Sequence, residues 1–133
     1  MTAARRMALV ASGGAAGGVA RVLIAVLLAQ AVEAPHWAVP ALLAVNLSGS
    51  LFAGFLRGLL EREQAHGRDG AELDAFLLVG FCGGFTSYSG FVEAAVGGSP
   101  WIAAATLVLC PFAALLGMRL SGGYPARPAG NPR

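Results

Sequence analysis

The sequence predicts an all-α integral membrane protein of four spans, the third of them broken near its middle. Three observations predict this class. The chain has 133 residues, 56% of them hydrophobic and only 12% charged, against about 25% charged in a soluble domain. Four apolar stretches stand at about residues 7–32, 37–60, 75–96 and 100–120, and a stretch of ~20 residues is enough to cross a bilayer. The third stretch carries Gly83-Gly84 and Thr86-Ser87 in its interior, where lipid offers a broken backbone no hydrogen-bond partners.

Composition also narrows the chemistry. All nine basic residues are arginine, and the net charge of +2 points to no nucleic-acid partner. Cys82 and Cys110 both fall inside apolar spans, so they read as small packing residues or weak pore polars and not as a disulfide framework. His36 and His66 fall in connecting segments, and no Cys/His cluster suits a metal. The sequence has no Ser–His pairing, no carboxylate pair within a span, and no phosphate-binding glycine loop leading to a lysine. It is not expected to be an enzyme.

The first span, Met7 to Val32, follows a short basic tail and is interrupted only by Arg21 and Gln30. Arg5-Arg6 before an apolar run resembles a signal peptide, but the run is too long for one and three more spans follow. Gly13/Gly17 and Gly14/Gly18 form two overlapping G-x-x-x-G pairs, which let helix backbones approach closely. Gly14, Gly17, Gly18 and Arg21 follow the i, i+3, i+4, i+7 pattern of one helix face. Glu33 to His36 is a tight connection, and Trp37 marks an interface position. The second span carries Asn46, Ser48, Gly49 and Ser50 near its middle, then Gly54 and Gly58. Glu61 to Asp74 is polar and charged without apolar periodicity, and reads as a loop.

In the third span, Gly weakens a helix interior by about 1 kcal/mol relative to Ala, and Thr86 and Ser87 can take over freed backbone groups. A broken helix at membrane depth is tolerated where it faces protein or a water-filled cavity, and its unwound carbonyls can hold a cation. The alternative is a glycine-rich packing surface with a Ser/Thr kink and no ion. Beyond the break, Tyr88 and Phe91 stand three apart and share a face. Gly97-Gly98-Ser99-Pro100 is a turn, with Pro100 suited to start the fourth helix. Residues 121–133 are rich in Pro and Gly and read as a disordered tail.

A charge at the centre of a span costs about 2.5–3.5 kcal/mol on insertion scales. Arg21 is therefore either an anion-attracting charge at a pore mouth or an arginine that snorkels or caps carbonyls. Asn46 could donate its amide hydrogens to an anion, or glue two helices together. Glu93, near the end of the third span, reads as a structural partner, with Arg21 a candidate.

Three stretches together resemble a known family: Gly13-Gly14-Ala15-Ala16-Gly17-Gly18-Val19-Ala20-Arg21, Val45-Asn46-Leu47-Ser48-Gly49-Ser50-Leu51-Phe52-Ala53-Gly54, and Gly80 through Phe91 followed by Glu93. They are similar to the CrcB/Fluc fluoride channels of bacterial membranes, over about residues 7 to 120. The resemblance implies an antiparallel dimer with two narrow fluoride pathways in the bacterial cell membrane. It implies a structural sodium ion held by the backbone carbonyls of Gly83 and Thr86. It puts Asn46, Ser87, Tyr88, Phe91 and Thr106 along the fluoride pathway and matches Arg21 to the family's first-span arginine. Ring edges carry the positive end of the aromatic quadrupole, which suits an anion path. Two positions depart from the family pattern: Tyr88 stands where Phe is usual, and Gly90 where Thr is usual. In the fourth span, Ile102, Thr106 and Cys110 match the family's polar positions, and of these Thr106 is the good hydrogen-bond donor.

The function expected is passive fluoride efflux. Two other classes were weighed. A small multidrug-type four-span transporter needs a carboxylate in the middle of its first span, and this one has none. A non-transporting membrane assembly protein would use every intramembrane polar residue for packing. Orientation is also legible. Arg5, Arg6, Arg57, Arg62, Arg68, Arg119, Arg127 and Arg133 all fall on the side of the termini, and the connections at 32–36 and 97–100 carry no Lys or Arg. Basic residues in short loops stay cytoplasmic, so both termini are expected there in a single orientation. An antiparallel dimer would then need a partner inserted the other way, such as a paralogue with the reverse bias.

Overall fold

The computed structural model describes residues 1–31, 38–67, 69–97 and 99–122. The connection at 33–36, the interface position at Trp37, Arg68 and the tail beyond Gly122 lie outside the described residues, as does the side chain of Glu93. The described chain is helical: α1 (Ala3–Ala31), α2 (Ala38–Ala65), α3 (Ala71–Leu73), a π-helix (Asp74–Cys82), α4 (Gly83–Phe85), α5 (Tyr88–Val96) and α6 (Pro100–Leu120). Four rods are long and apolar enough to cross a membrane, and Ala71–Val92 counts as the third.

Local signals set the helix ends. Thr2 Oγ1 accepts from the Arg5 amide at 3.3 Å, capping α1. Pro100 opens α6, where its missing N–H costs nothing. Gly67 (φ 77°) and Gly122 (φ 72°) follow the ends of α2 and α6 in the left-handed region that glycine tolerates. The polar stretch 61–74 is shorter as a loop than its composition suggests. Helix α2 continues through Glu61 to Ala65, and helix resumes at Ala71. Arg57 and Glu61, one turn apart, are paired at 2.9 Å along the extension, a contact of a few tenths of a kcal/mol at an exposed site. Nothing in the residue types of Asp74–Cys82 signals a π-helix, which is nearly always a single-turn bulge.

The rods pack as two close pairs. Helix α1 lies along the π-helix and α4, while α2 lies along α6. Between helices in lipid there is little hydrophobic driving force, so close backbone approach through small residues does the work. Cβ atoms on Gly13 and Gly17 would overlap the carbonyls of Phe76 and Phe81, and one on Gly84 would overlap that of Gly14. The second pair is similar: a Cβ on Gly54 would strike the Ala114 carbonyl, and one on Gly117 the Leu51 carbonyl. Gly18, the last member of the overlapping G-x-x-x-G pairs, meets nothing within 4 Å in the chain.

Val45, Leu56, Leu60, Ala75, Ile102 and Ala103 are buried between the rods. Leu23, Leu27, Phe112, Leu115 and Leu116 are exposed, an outward apolar face that suits lipid or another chain and not water. Contacts at one end of the bundle tie four helix termini together. Arg5 of α1 pairs with Glu72 of α3 at 2.9 Å. Arg62 of α2 donates to the Ser121 carbonyl beyond α6 at 2.8 Å. With the short connection from α2 to α3, these contacts gather Arg5, Arg6, Arg57, Arg62 and Arg119 near the same end.

Candidate functional site

Helix α4 ends at Phe85 and α5 begins at Tyr88. Gly83 and Gly84 remain helical, and the turn-out comes at Thr86, whose backbone is extended (φ −72°, ψ 154°). The Thr86 amide and hydroxyl both donate to the Cys82 carbonyl, at 3.0 and 2.9 Å. Ser87 caps the next helix, its Oγ accepting from the Gly90 amide at 3.1 Å.

Two side chains from other helices hold this interruption. Asn46 of α2 is 5% exposed. Its Oδ1 accepts from the Ser87 amide at 2.8 Å, and its Nδ2 donates to the Ser87 carbonyl at 3.4 Å. The pairing engages both sides of the carboxamide and leaves one N–H for another acceptor. Arg21 of α1 donates through Nη1 to the Thr86 carbonyl at 3.3 Å. A carbonyl has two lone pairs, so one on Thr86 is left for another donor or a cation.

A cavity of about 330 Å³ opens beside the interruption, lined by Asn46, Ser50, Thr86, Ser87, Tyr88, Phe91, Thr106, Leu107, Cys110 and Pro111. The five side chains expected along the fluoride pathway, Asn46, Ser87, Tyr88, Phe91 and Thr106, thus meet at one cavity. Gly83 and Arg21 are not in its wall. Ile102, aligned with the family's polar positions in the fourth span, is 1% exposed and lies in the core. The rings of Tyr88 and Phe91 stack with centroids 5.8 Å apart and planes at 27°. Thr106 donates its hydroxyl to the Ile102 carbonyl at 2.8 Å, so it faces the cavity chiefly as an acceptor. Among the described residues the lining carries no Asp, Glu, Lys or Arg, and the first turn of α5 contributes the partial positive charge of a helix N-terminus.

Ser50, Leu107 and Pro111 were not singled out as site residues from the sequence. Ser50 stands one turn from Asn46 on the same helix, a spacing that could have found it. Pro111 supplies no N–H to the Leu107 carbonyl, which leaves a polar backbone group beside the cavity.

Among the described residues, no group of three or more His, Cys, Asp or Glu gathers to hold a metal. A cation here would rest on backbone oxygens. Carbonyls are hard donors that suit sodium, and the C-terminal turn of α4 presents the negative end of a helix to it. The Gly83 and Thr86 carbonyls are of the donor type that fits such an ion.

Residues 8–121 match the family model described as CrcB-like protein, Camphor Resistance (CrcB). The chain belongs to the CrcB family. Three relatives of this CrcB chain, each named fluoride-specific ion channel FluC, give the scale of likeness. The one from Rhodospirillum centenum is 45% identical over 87 residues, 62% of the CrcB chain and 61% of the relative. The one from Elusimicrobium minutum is 40% identical over 91 residues, 68% and 66% of the two. The one from Bacteroides fragilis is 38% identical over 78 residues, 58% of each. The matches thus span less than two thirds of these relatives' lengths. No solved structure matches the chain significantly. Four apolar spans and CrcB membership make it a multi-pass membrane protein.

Proposed function

We propose that this chain is a fluoride-specific channel that lets fluoride leave the cytoplasm passively. Fluoride enters as its neutral acid and is trapped inside as the anion, so an anion-selective pore suffices. The observation that carries this conclusion is the cavity shared by Asn46, Ser87, Tyr88, Phe91 and Thr106 beside an interrupted helix. It offers amide, hydroxyl and ring-edge donors with no carboxylate to repel an anion. A constriction built from such weak donors excludes larger halides by size and releases fluoride readily. Relatives named as fluoride-specific channels support the same reading. The assembled dimer in liposomes loaded with potassium fluoride should release fluoride when a potassium ionophore is added, and release no chloride. Absence of fluoride release from a folded, correctly assembled preparation would contradict the proposal.

In this proposal the interruption at Thr86–Ser87 is the break at membrane depth, and the functional unit is an antiparallel dimer. The Gly83 and Thr86 carbonyls together with their counterparts in the opposite subunit provide four oxygens for a structural sodium ion. When bound, sodium would neutralise carbonyls turned out of the helix. Arg21 acts beside them, holding the Thr86 carbonyl and adding positive potential near the pathway.

The clustered arginines point to one orientation, termini in the cytoplasm. An oppositely inserted paralogue then completes the dimer. C-terminal reporter fusions should be active only with a cytoplasmic enzyme and silent with a periplasmic one. Comparable activity of both reporters, or robust efflux by this chain purified alone, would remove the need for a partner.

A further inference from the structure

An unbroken α-helix pairs each carbonyl with the amide four residues on. Across the interruption the outer two pairings persist: the Thr86 amide donates to the Cys82 carbonyl at 3.0 Å, and the Phe91 amide to the Ser87 carbonyl at 3.3 Å. Between them four such pairings are missing, and two of the four amides are diverted to side chains. The Ser87 amide, which would serve the Gly83 carbonyl, donates to Asn46 Oδ1 at 2.8 Å. The Gly90 amide, which would serve the Thr86 carbonyl, donates to Ser87 Oγ at 3.1 Å. The carbonyls of Gly83, Gly84, Phe85 and Thr86 all lose their helical donors here, and at Gly83 and Thr86, the pair proposed for the cation, the lost amide is held by a side chain. Arg21 donating to the Thr86 carbonyl at 3.3 Å is a separate sign that this oxygen is turned outward toward positive charge.

We infer that Asn46 and Ser87 are positioning residues for the cation: their side chains take the two backbone amides that would otherwise satisfy the Gly83 and Thr86 carbonyls. This inference rests on the sodium reading above. It gives Asn46 a second task besides facing the cavity. Side chains and backbone compete for the same donors throughout proteins; here the competition is resolved in favour of the side chains on both sides of one peptide. With leucine at position 46 the Ser87 amide has no side-chain acceptor, and the Gly83 carbonyl is its nearest helical alternative. With alanine at position 87 the Gly90 amide loses its capping acceptor, and the Thr86 carbonyl is the partner it would take if the helix closed across the interruption. Either change consumes a cation donor without touching the donor residue itself.

The test is a sodium titration of thermal unfolding, with the assembled dimer purified in detergent and N-methylglucamine as the replacement cation. A ligand that binds only the folded state raises the midpoint in a saturable manner. The wild type is expected to respond. Asn46→Leu and Ser87→Ala are expected to need at least ten-fold more sodium for half the response. Ser87→Thr keeps a capping hydroxyl and should respond like the wild type, and so should Ser50→Ala, which alters the same cavity without a bond to the interruption. If Asn46→Leu does not fold, Ser87→Ala with its Ser87→Thr rescue decides the matter. Wild-type sodium dependence in folded Ser87→Ala would overturn the inference and leave the sodium reading standing. A wild type indifferent to sodium would overturn both.

Discussion

Phe91→Ile is expected to abolish fluoride efflux from proteoliposomes while leaving the protein folded and able to assemble. Phe91 lines the cavity, and its ring stacks on Tyr88 at 5.8 Å. Isoleucine keeps most of the apolar bulk, so packing of α5 against α6 survives. It removes the ring edge, whose partial positive charge is the only attraction an apolar side chain can offer an anion. Loss of flux by at least about 100-fold, equivalent to about 2.7 kcal/mol of barrier, is the expected result. Tyr88→Phe makes the opposite point. It keeps the ring and removes a hydroxyl from a side chain that is 78% exposed in the single chain. Its flux should equal or exceed that of the parent. Unchanged efflux in Phe91→Ile would show that the ring is there only for packing.

The largest effect on folding is expected from Gly84→Ala. A Cβ at this position would overlap the Gly14 carbonyl and lie 2.9 Å from Gly14 Cα. These are backbone atoms of α1, so no rotamer can move aside and the two rods must separate. Overpacking of a tight contact costs about 1–3 kcal/mol, and a backbone clash belongs at the upper end. The thermal midpoint in detergent should fall sharply, and the yield of folded protein with it. Gly18→Ala is the matched control. Nothing lies within 4 Å of a Cβ there, and alanine is the better helix former by about 1 kcal/mol, so the fold of the chain should hold or gain. Equal stability of the two variants would mean that the α1 seam is looser than its geometry.

Residue types alone determined the class of this protein. Lipid accepts only segments that satisfy their own backbone, and about 20 apolar residues per span is a length requirement readable without any neighbour. The same holds for the glycine pairs of the first span, for Pro100 at a helix start and for the arginine bias. The residues Asn46, Ser87, Tyr88, Phe91 and Thr106 of the cavity wall were also legible, because they are polar or aromatic at positions where lipid would favour neither.

Only the tertiary structure decided how those residues are employed. Gly83-Gly84 looked like the weak point of the third rod. Yet the turn-out falls at Thr86, where Asn46 reaches across from α2 to take the Ser87 amide. Arg21 could have served as a free charge or as a cap, and the fold puts its guanidinium on the Thr86 carbonyl. Thr106 looked like a donor to an anion, but its proton goes to the Ile102 carbonyl one turn back. A π-helix at Asp74–Cys82 and the Arg62 contact across to Ser121 carry no local signature at all. The physical reason is common to these cases. Hydropathy and glycine spacing act within one helix, where i+3 and i+4 neighbours are known in advance. A hydrogen bond between residues 41 or 65 positions apart depends on which helices lie side by side, and that is settled only when the rods pack.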